Sequence, residues 1–314
     1  MNVLISEVGP RDGLQNCDRI MASSDKMMWI HAARAAGIRE IEVGSFVSRT
    51  LFPQLADTAD LVAESVQIDG LAVAVLVPNV RGAEMALRAG AHKITLPLSV
   101  SETHSIRNIG RTHDQVIAEA EAIAGLISSL PAEARPHFEG SLSTAFGCTI
   151  EGAIPDAKIL SLADRLMQAG CAEVGLSDTT GLGNPASVRR LIRAVRGVIG
   201  DDNLTGVHLH NTYGLGLANA LAAFDEGITT FDSSLGGLGG CPTSPGASGN
   251  IVTEDLVFMF ESMGVDTGVD LDLLIRCRDH IEAGLPGEAL FGFTPLAGLP
   301  RDWPEPANPD VSAQ

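Results

Sequence analysis

The stretch from Thr230 to Asn250 reads TFDSSL followed by GGLGGCPTSPGASGN. Its first part, Thr230 to Leu235, is a short apolar run of strand character. The second part, Gly236 to Asn250, holds six glycines, two prolines and one cysteine in fifteen residues, with neither helical nor strand period. Residues that accept positive φ or interrupt a ladder make poor helix and poor strand, and the segment is too long for a simple turn. Beyond it Thr253 is expected to cap a helix whose positive end suits Glu254 and Asp255. Strand, glycine loop and helix in that order is how parallel α/β folds present their chemistry. Cys241, at the loop's centre, is placed to swing over a bound substrate.

Outward from this stretch the same alternation runs through the chain. Strands are expected at Val3 to Val8, Glu40 to Gly44, Leu71 to Val77, Lys93 to Leu98, Pro136 to Thr144, Glu173 to Ser177, Thr205 to His210 and Thr230 to Leu235. Between them lie helices opened by Ser24 or Asp25, by Asn79, by Pro155 and by Pro185, and a small-residue helix from Leu215 to Glu226. Gly37, Gly90, Gly170, Gly200 and Gly227 stand where C-terminal caps belong. Repeated βα units imply right-handed crossovers and a parallel sheet, and eight strands close a (β/α)₈ TIM barrel. One more helix is expected over Asp270 to Ala283. The barrel domain is read as residues 1–283, and 284–314 as a partly irregular extension rich in proline and glycine, packed over the barrel and frayed at its end.

A chain of 314 residues, 45% hydrophobic, can bury a large core. Its net charge of -18 makes nucleic acid and anionic membranes poor partners. The longest apolar run, Leu71 to Val77, is too short to span a bilayer. Five cysteines without C-x-x-C spacing argue against a disulfide framework or a zinc knuckle. With a strand pattern starting almost at the first residue, the chain reads as cytoplasmic.

Barrel chemistry gathers where strands end at their C-terminal side. That rule selects Arg11 and Asp12 after strand one, Glu42 on strand two, Asp178 at the end of strand six, His208 and His210 on strand seven, and Cys241 and Asn250 after strand eight. His208 and His210, two apart on a strand, share a face and can bind one cation. Asp12 and Asn250 join them once the barrel closes, because strand eight then neighbours strand one. Such a mixed nitrogen and oxygen set suits Mg²⁺ or Mn²⁺ better than a thiolate site does. Arg11, set between two glycines, is placed to neutralise an enolate or carboxylate, although an ordinary ion pair with Asp12 is the plainer reading. Glu42 and Asp178 either orient ligands and carry protons, or simply cap a neighbouring loop.

The motifs EVGPRDGLQN (Glu7 to Asn16), IEVGSFVS (Ile41 to Ser48), SDTTG (Ser177 to Gly181), HLHNTYG (His208 to Gly214) and DSSLGGLGGCPTSPGASGNIVTEDLV (Asp232 to Val257) occur together in this one chain. On these the chain resembles the 3-hydroxy-3-methylglutaryl-CoA lyase family over about residues 3 to 283. The resemblance implies a metal-dependent retro-Claisen cleavage of a 3-hydroxyacyl-CoA, with CoA as part of the substrate and a homodimeric enzyme. It implies Asp12, His208, His210 and Asn250 as metal ligands and Arg11 as the group that stabilises the enolate. Cys241 becomes the acid that protonates the enolate carbon, with Glu42, Asp178 and His208 in proton transfer or support. Arg49, Arg107 and Arg111 are candidates for the CoA phosphates from their loop positions.

Three positions depart from the family pattern: Asn211 stands for an aspartate, Thr144 for a frequent cysteine, and His104 for an aromatic or apolar residue. Citramalyl-CoA or a longer 3-substituted glutaryl-CoA therefore stays open as substrate. So do a Claisen-condensing synthase, a pyruvate-type aldolase with an H-x-H metal site, and a barrel that binds without turnover.

Overall fold

Every apolar run singled out above forms a strand, and period two explains how. Along β2 (Glu40–Ser45), β3 (Ala72–Leu76) and β4 (Lys93–Ser99), the residues Ile41, Val43, Val73, Val75, Ile94 and Leu96 point outward and are fully buried beneath the helices. Their neighbours Glu40, Glu42, Ala74, Lys93 and Thr95 point inward and line a cavity. With β1 (Leu4–Glu7), β5 (His137–Ser143), β6 (Glu173–Asp178), β7 (Gly206–Leu209) and β8 (Thr230–Ser233), they close a parallel barrel in chain order. Pairing of Leu4 with Thr230 through Glu7 with Ser233 makes the seam between β1 and β8. The computed structural model describes residues 2–239 and 249–303.

The described helices are α1 (Ser23–Ala35), α2 (Thr58–Ser65), α3 (Val80–Ala89), α4 (Glu102–Ile109), α5 (His113–Ser128), α6 (Asp156–Gln168), α7 (Pro185–Ile199), α8 (Gly216–Asp225), α9 (Thr253–Ser262), α10 (Leu271–Arg276), α11 (Arg278–Gly284) and α12 (Phe293–Ala297). Asn79 caps α3 as expected, its Oδ1 accepting the Gly82 N–H at 2.9 Å. At α7 the cap is Asn184, one residue before Pro185. Neither Ser24 nor Asp25 caps α1, which already begins at Ser23. The single helix expected from Asp270 is two, because the Cys277 N–H also reaches back to Leu274 O, only three residues away, and tightens the turn. Among the described residues no helix is long and apolar enough to cross a membrane.

Thr253 is the first residue of α9 rather than its cap, because its hydroxyl is engaged elsewhere. It donates to Glu7 Oε2 at 2.7 Å. Glu7 is fully buried and also accepts the N–H groups of Gly9 (2.9 Å) and Leu235 (3.0 Å). Next to it Glu254, equally buried, accepts the Gly236 N–H and the Arg278 guanidinium. Phe231 of β8 and Phe224 of α8 both pack on Phe260 of α9, with ring centroids 4.9 and 5.4 Å apart. The two ends of the glycine loop are thus held by side chains in the core. Residues 240–248, which include Cys241, lie outside the described residues, as does the end of the extension. What is described of the extension packs on α9, where Asp255 accepts the N–H groups of Phe293 and Thr294 and Phe258 stacks on Trp303.

Burial pushes the Glu7 carboxyl up to about 8, from an ordinary value of 4.5. A raised folded value stabilises the fold fully below the unfolded value and loses that contribution as pH rises towards about 8. Glu7→Gln, which mimics the protonated acid, should therefore unfold in urea much like the parent near pH 4.5 and lose less stability than the parent as pH is raised through neutrality towards 8. Glu7→Ala orphans the donors and should cost about 3 kcal/mol or more. Equal stability of the parent and the alanine variant would show that this carboxyl holds nothing.

Candidate active site

β1 runs into a π-helical turn, Gly9–Gly13, in which the N–H groups of Arg11, Asp12 and Gly13 all converge on Val8 O. Only glycine fits at position 9, because a Cβ there would come within 2.6 Å of the Trp29 ring and 2.4 Å of Glu7 Oε1. The turn carries Arg11 and Asp12 over the mouth of the barrel. Asp12 Oδ2 then lies 3.9 Å from His208 Nε2 and 3.8 Å from His210 Nε2. It also accepts the Asn250 side-chain amide at 2.8 Å. Asn250 is seated by backbone: it bridges to His210, while the Asn211 N–H donates to Gly249 O at 2.7 Å and the Ile251 N–H to Leu209 O at 3.2 Å.

This donor set fits a divalent cation. Asp12, His208 and His210 offer ligand atoms that all lie within 4.8 Å of one another. The two Nε2 atoms stand 3.0 Å apart, a separation that needs a shared proton or a cation between them. Asn250 Oδ1 is buried and has no hydrogen-bond partner among the described residues, so an oxygen ligand is left free to bind. Burial disfavours charge on Asp12, but Arg11 and the two imidazoles hold its carboxyl well below the usual range, as a ligand requires. Burial also lowers His210 and keeps it neutral, while His208 is raised, its burial outweighed by Asp232.

Arg11 is gripped from two sides, by Glu42 Oε2 on its Nε and by Asp12 Oδ1 on its Nη1, each at 2.5 Å. Burial pushes Glu42 up to about 7 against the pull of Arg11. A bulge in β2 between Glu42 and Gly44 turns the strand next to this pair. Arg11, Asp12, Glu42, His208 and His210 open on one cavity of about 1050 Å³, which runs from Arg107 and Arg111 at the rim to Lys93 and Glu139 on the barrel floor.

A family model described as HMGL-like matches residues 2–281. The chain belongs to the HMGL-like family. A mitochondrial hydroxymethylglutaryl-CoA lyase of Arabidopsis thaliana is 40% identical over 283 residues, which is 90% of this chain but 59% of that relative. A 3-hydroxy-3-isohexenylglutaryl-CoA/hydroxymethylglutaryl-CoA lyase of Pseudomonas aeruginosa is 39% identical over 286 residues, 90% of this chain and 93% of the other. The structure of an HMG-CoA lyase from Acinetobacter baumannii in complex with coenzyme A and 3-methylmalate shares a TM-score of 0.88 at 38% identity, covering 96% of each chain.

In this HMGL-like barrel, Arg11, Asp12, Glu42, His208, His210 and Asn250 meet as the strand-end rule expects. Asp178 does not join them. It pairs with Leu209, whose side chain lies outside the barrel wall, and its Oδ2 accepts the Gly183 N–H at 2.9 Å, so it shapes the loop after β6. Ser177, one residue earlier, faces the cavity instead. Arg107 and Arg111 line the cavity, whereas Arg49 is exposed beside it, on the turn whose Ser48 and Leu51 line it. Asn211 serves the first turn of α8, accepting the Gly216 N–H at 2.9 Å. Cys148 is buried away from the cavity, and burial pushes the thiols of Cys17, Cys171 and Cys277 up to about 12.

One residue went unread: Asp232, whose Oδ2 stands 3.1 Å from His208 Nδ1. Its signal is a carboxylate on the inward face of a strand, paired in register with His208. A carboxylate on the far nitrogen of a ligand histidine fixes its ring and tautomer. Asp232→Asn should weaken Mn²⁺ binding by about 10- to 100-fold in calorimetric titration, and His210→Ala should weaken it further. An unchanged affinity in either variant would remove that residue from the site.

Proposed function

We propose that the protein is a divalent-metal-dependent carbon–carbon lyase that cleaves 3-hydroxy-3-methylglutaryl-CoA to acetyl-CoA and acetoacetate, working as a cytoplasmic homodimer. The observation that carries this reading is the convergence of Asp12, His208 and His210 beside a charged Arg11 in one cavity, with the buried Asn250 hydrogen-bonded to Asp12. Its support is the set of relatives carrying the lyase name. Asp12, the two histidines and Asn250 would hold Mg²⁺ or Mn²⁺, which when bound lowers the pKa of an alcohol and adds positive charge for the substrate's oxygens.

The chain's own residues supply the rest. Loss of the C3 hydroxyl proton lets that oxygen become a ketone as the C2–C3 bond breaks, leaving the electron pair as the enolate of acetyl-CoA. Glu42, with its carboxyl pushed up to about 7, is matched to accept and return a proton near neutrality. His208, with Nε2 in the ligand cluster and Nδ1 held by Asp232, has no free nitrogen for that proton and supports the site by holding its place. Arg11 stays protonated, because Glu42 and Asp12 outweigh the burial that opposes its charge, and it stabilises the enolate oxygen. Cys241 is assigned the final protonation of the enolate carbon. Arg107 and Arg111 at the rim are assigned the CoA phosphates.

A second reading concerns the acyl group. The cavity continues past the ligand cluster to Lys93 and Glu139 instead of ending in packed side chains, which leaves room for a 3-substituent longer than methyl.

Protein stripped with a chelator should form acetyl-CoA and acetoacetate in equal amounts from 3-hydroxy-3-methylglutaryl-CoA only after Mg²⁺ or Mn²⁺ is restored. No cleavage by folded, metal-loaded protein would sink this substrate and move the test to longer 3-substituted glutaryl-CoA thioesters. Arg11→Met should lower kcat by about 10²- to 10³-fold while metal binding persists. A variant with parent kcat would exclude Arg11 from enolate stabilisation.

A further inference from the structure

Thr144, just past the end of β5, has φ 57°, the one non-glycine residue with positive φ among the described residues. A branched Cβ crowds the backbone there, which is why the left-handed region belongs mostly to glycine and asparagine. Such strain persists only where the surroundings over-determine it, and it gathers at functional sites. Thr144 is fully buried, and its polar atoms are all engaged. Its Oγ1 shares a hydrogen bond with Ser99 Oγ at 2.9 Å and accepts the Ser101 N–H at 3.2 Å, while its own N–H donates to Thr179 Oγ1 at 3.0 Å. A single residue thus joins the chain leaving β4, β5 and β6.

The connection leads to the wall of the cavity. Ser101, whose N–H ends on Thr144, caps α4 by accepting the His104 N–H at 3.1 Å. Three and four residues beyond His104 come Arg107 and Asn108, on the same helix face, and all three line the cavity. His104 Nδ1 is buried without a partner among the described residues. We propose that Thr144 is a positioning residue, kept in its strained conformation because its hydroxyl fixes α4 so that His104, Arg107 and Asn108 face the substrate. The proposal rests on the acyl-CoA reading of this cavity.

Two substitutions separate the hydroxyl from the branch. Thr144→Val keeps the shape and the strain but removes the acceptor, and α4 stays tethered by Glu151, which accepts the Thr103 N–H at 2.8 Å. Thr144→Ser keeps the acceptor and removes the branch. Hydrogen exchange of the amides in residues 102–109 should quicken about tenfold in the valine variant, with KM for the acyl-CoA raised about tenfold and kcat little changed. The serine variant should match the parent in both. Ser101→Ala, which breaks the next link, should reproduce the valine result and decides the matter if the valine variant fails to fold. Parent-like exchange and KM in Thr144→Val, or a serine variant as impaired as the valine one, would overturn the proposal. If the parent cleaves no acyl-CoA, the reading of the reaction fails, while the exchange comparison, which needs no substrate, still decides on Thr144.

Discussion

The carboxyl group of Glu7 is the point on which the mouth of the barrel depends. It sits at the end of β1 and meets three donors from three segments: Gly9, where the Arg11 and Asp12 turn begins; Leu235, where the glycine loop leaves β8; and Thr253, where the chain re-enters the core. The residues proposed to hold a metal come from both ends of the chain, with Asp12 on one side of the seam and Asn250 on the other. Their relative position is therefore set by whatever ties β1 to the roots of the loop. Strand pairing between β1 and β8 ends at Glu7 and Ser233, so the backbone ladder stops just short of both residues. Glu7 continues the connection with side-chain hydrogen bonds where the ladder gives out, and Glu254 repeats the device one residue along, at Gly236.

The lumen departs from the usual barrel, whose inner face is filled by layers of branched aliphatic residues. Here Ser6, Ala74, Thr95 and Ser141 leave it open, and the floor is a buried ion cluster in which Lys93 meets Glu139 at 2.8 Å and Glu40 at 3.5 Å. Burying charge is costly unless it is paired, and replacing such a cluster with apolar groups is often neutral or stabilising. Stability therefore has to come from the other face of the wall, where the strands' alternate residues and the inner faces of the helices form one continuous apolar layer. The inside of the barrel is released from packing and can be shaped for a ligand.

That division explains which parts of the molecule could be read from the chain. Apart from polar residues at strand ends such as Glu7, Asp178 and Ser233, the outward layer is apolar, so all eight strands were legible from runs such as Leu71 to Val77, and the barrel followed from their number. Asp12, His208, His210 and Asn250 were legible because strand-end position and period two place them. For Asp178 the sequence left two readings open, support of the site or capping of a loop, and the Gly183 N–H that its carboxyl accepts favours the second; one residue of strand separates the inward face from the outward, and that choice gives no signal in the sequence. Thr253 was misread as a cap for a related reason: its partner, Glu7, lies 246 positions away. Loop position placed all three arginines near the cavity: Arg107 and Arg111 line it from a helix and its end, and Arg49 stands exposed on a turn whose Val47, Ser48 and Leu51 line it.

Glu7 and Thr144 solve the same problem by different means. Helices and strands satisfy their own backbones, but the segments just beyond strand ends, where the ligand groups sit, have no ladder to continue into. At the seam between β1 and β8 the missing bonds are supplied by a carboxyl held in the core, at the cost of its solvation. Beyond β4 and β5 they are supplied by a hydroxyl whose backbone is forced into the left-handed region. Both expenses fall at the C-terminal face, and neither improves the apolar layer that keeps the barrel folded. A chain selected for stability alone would have little use for either, so their presence on opposite sides of one cavity marks the geometry of that cavity as what they maintain.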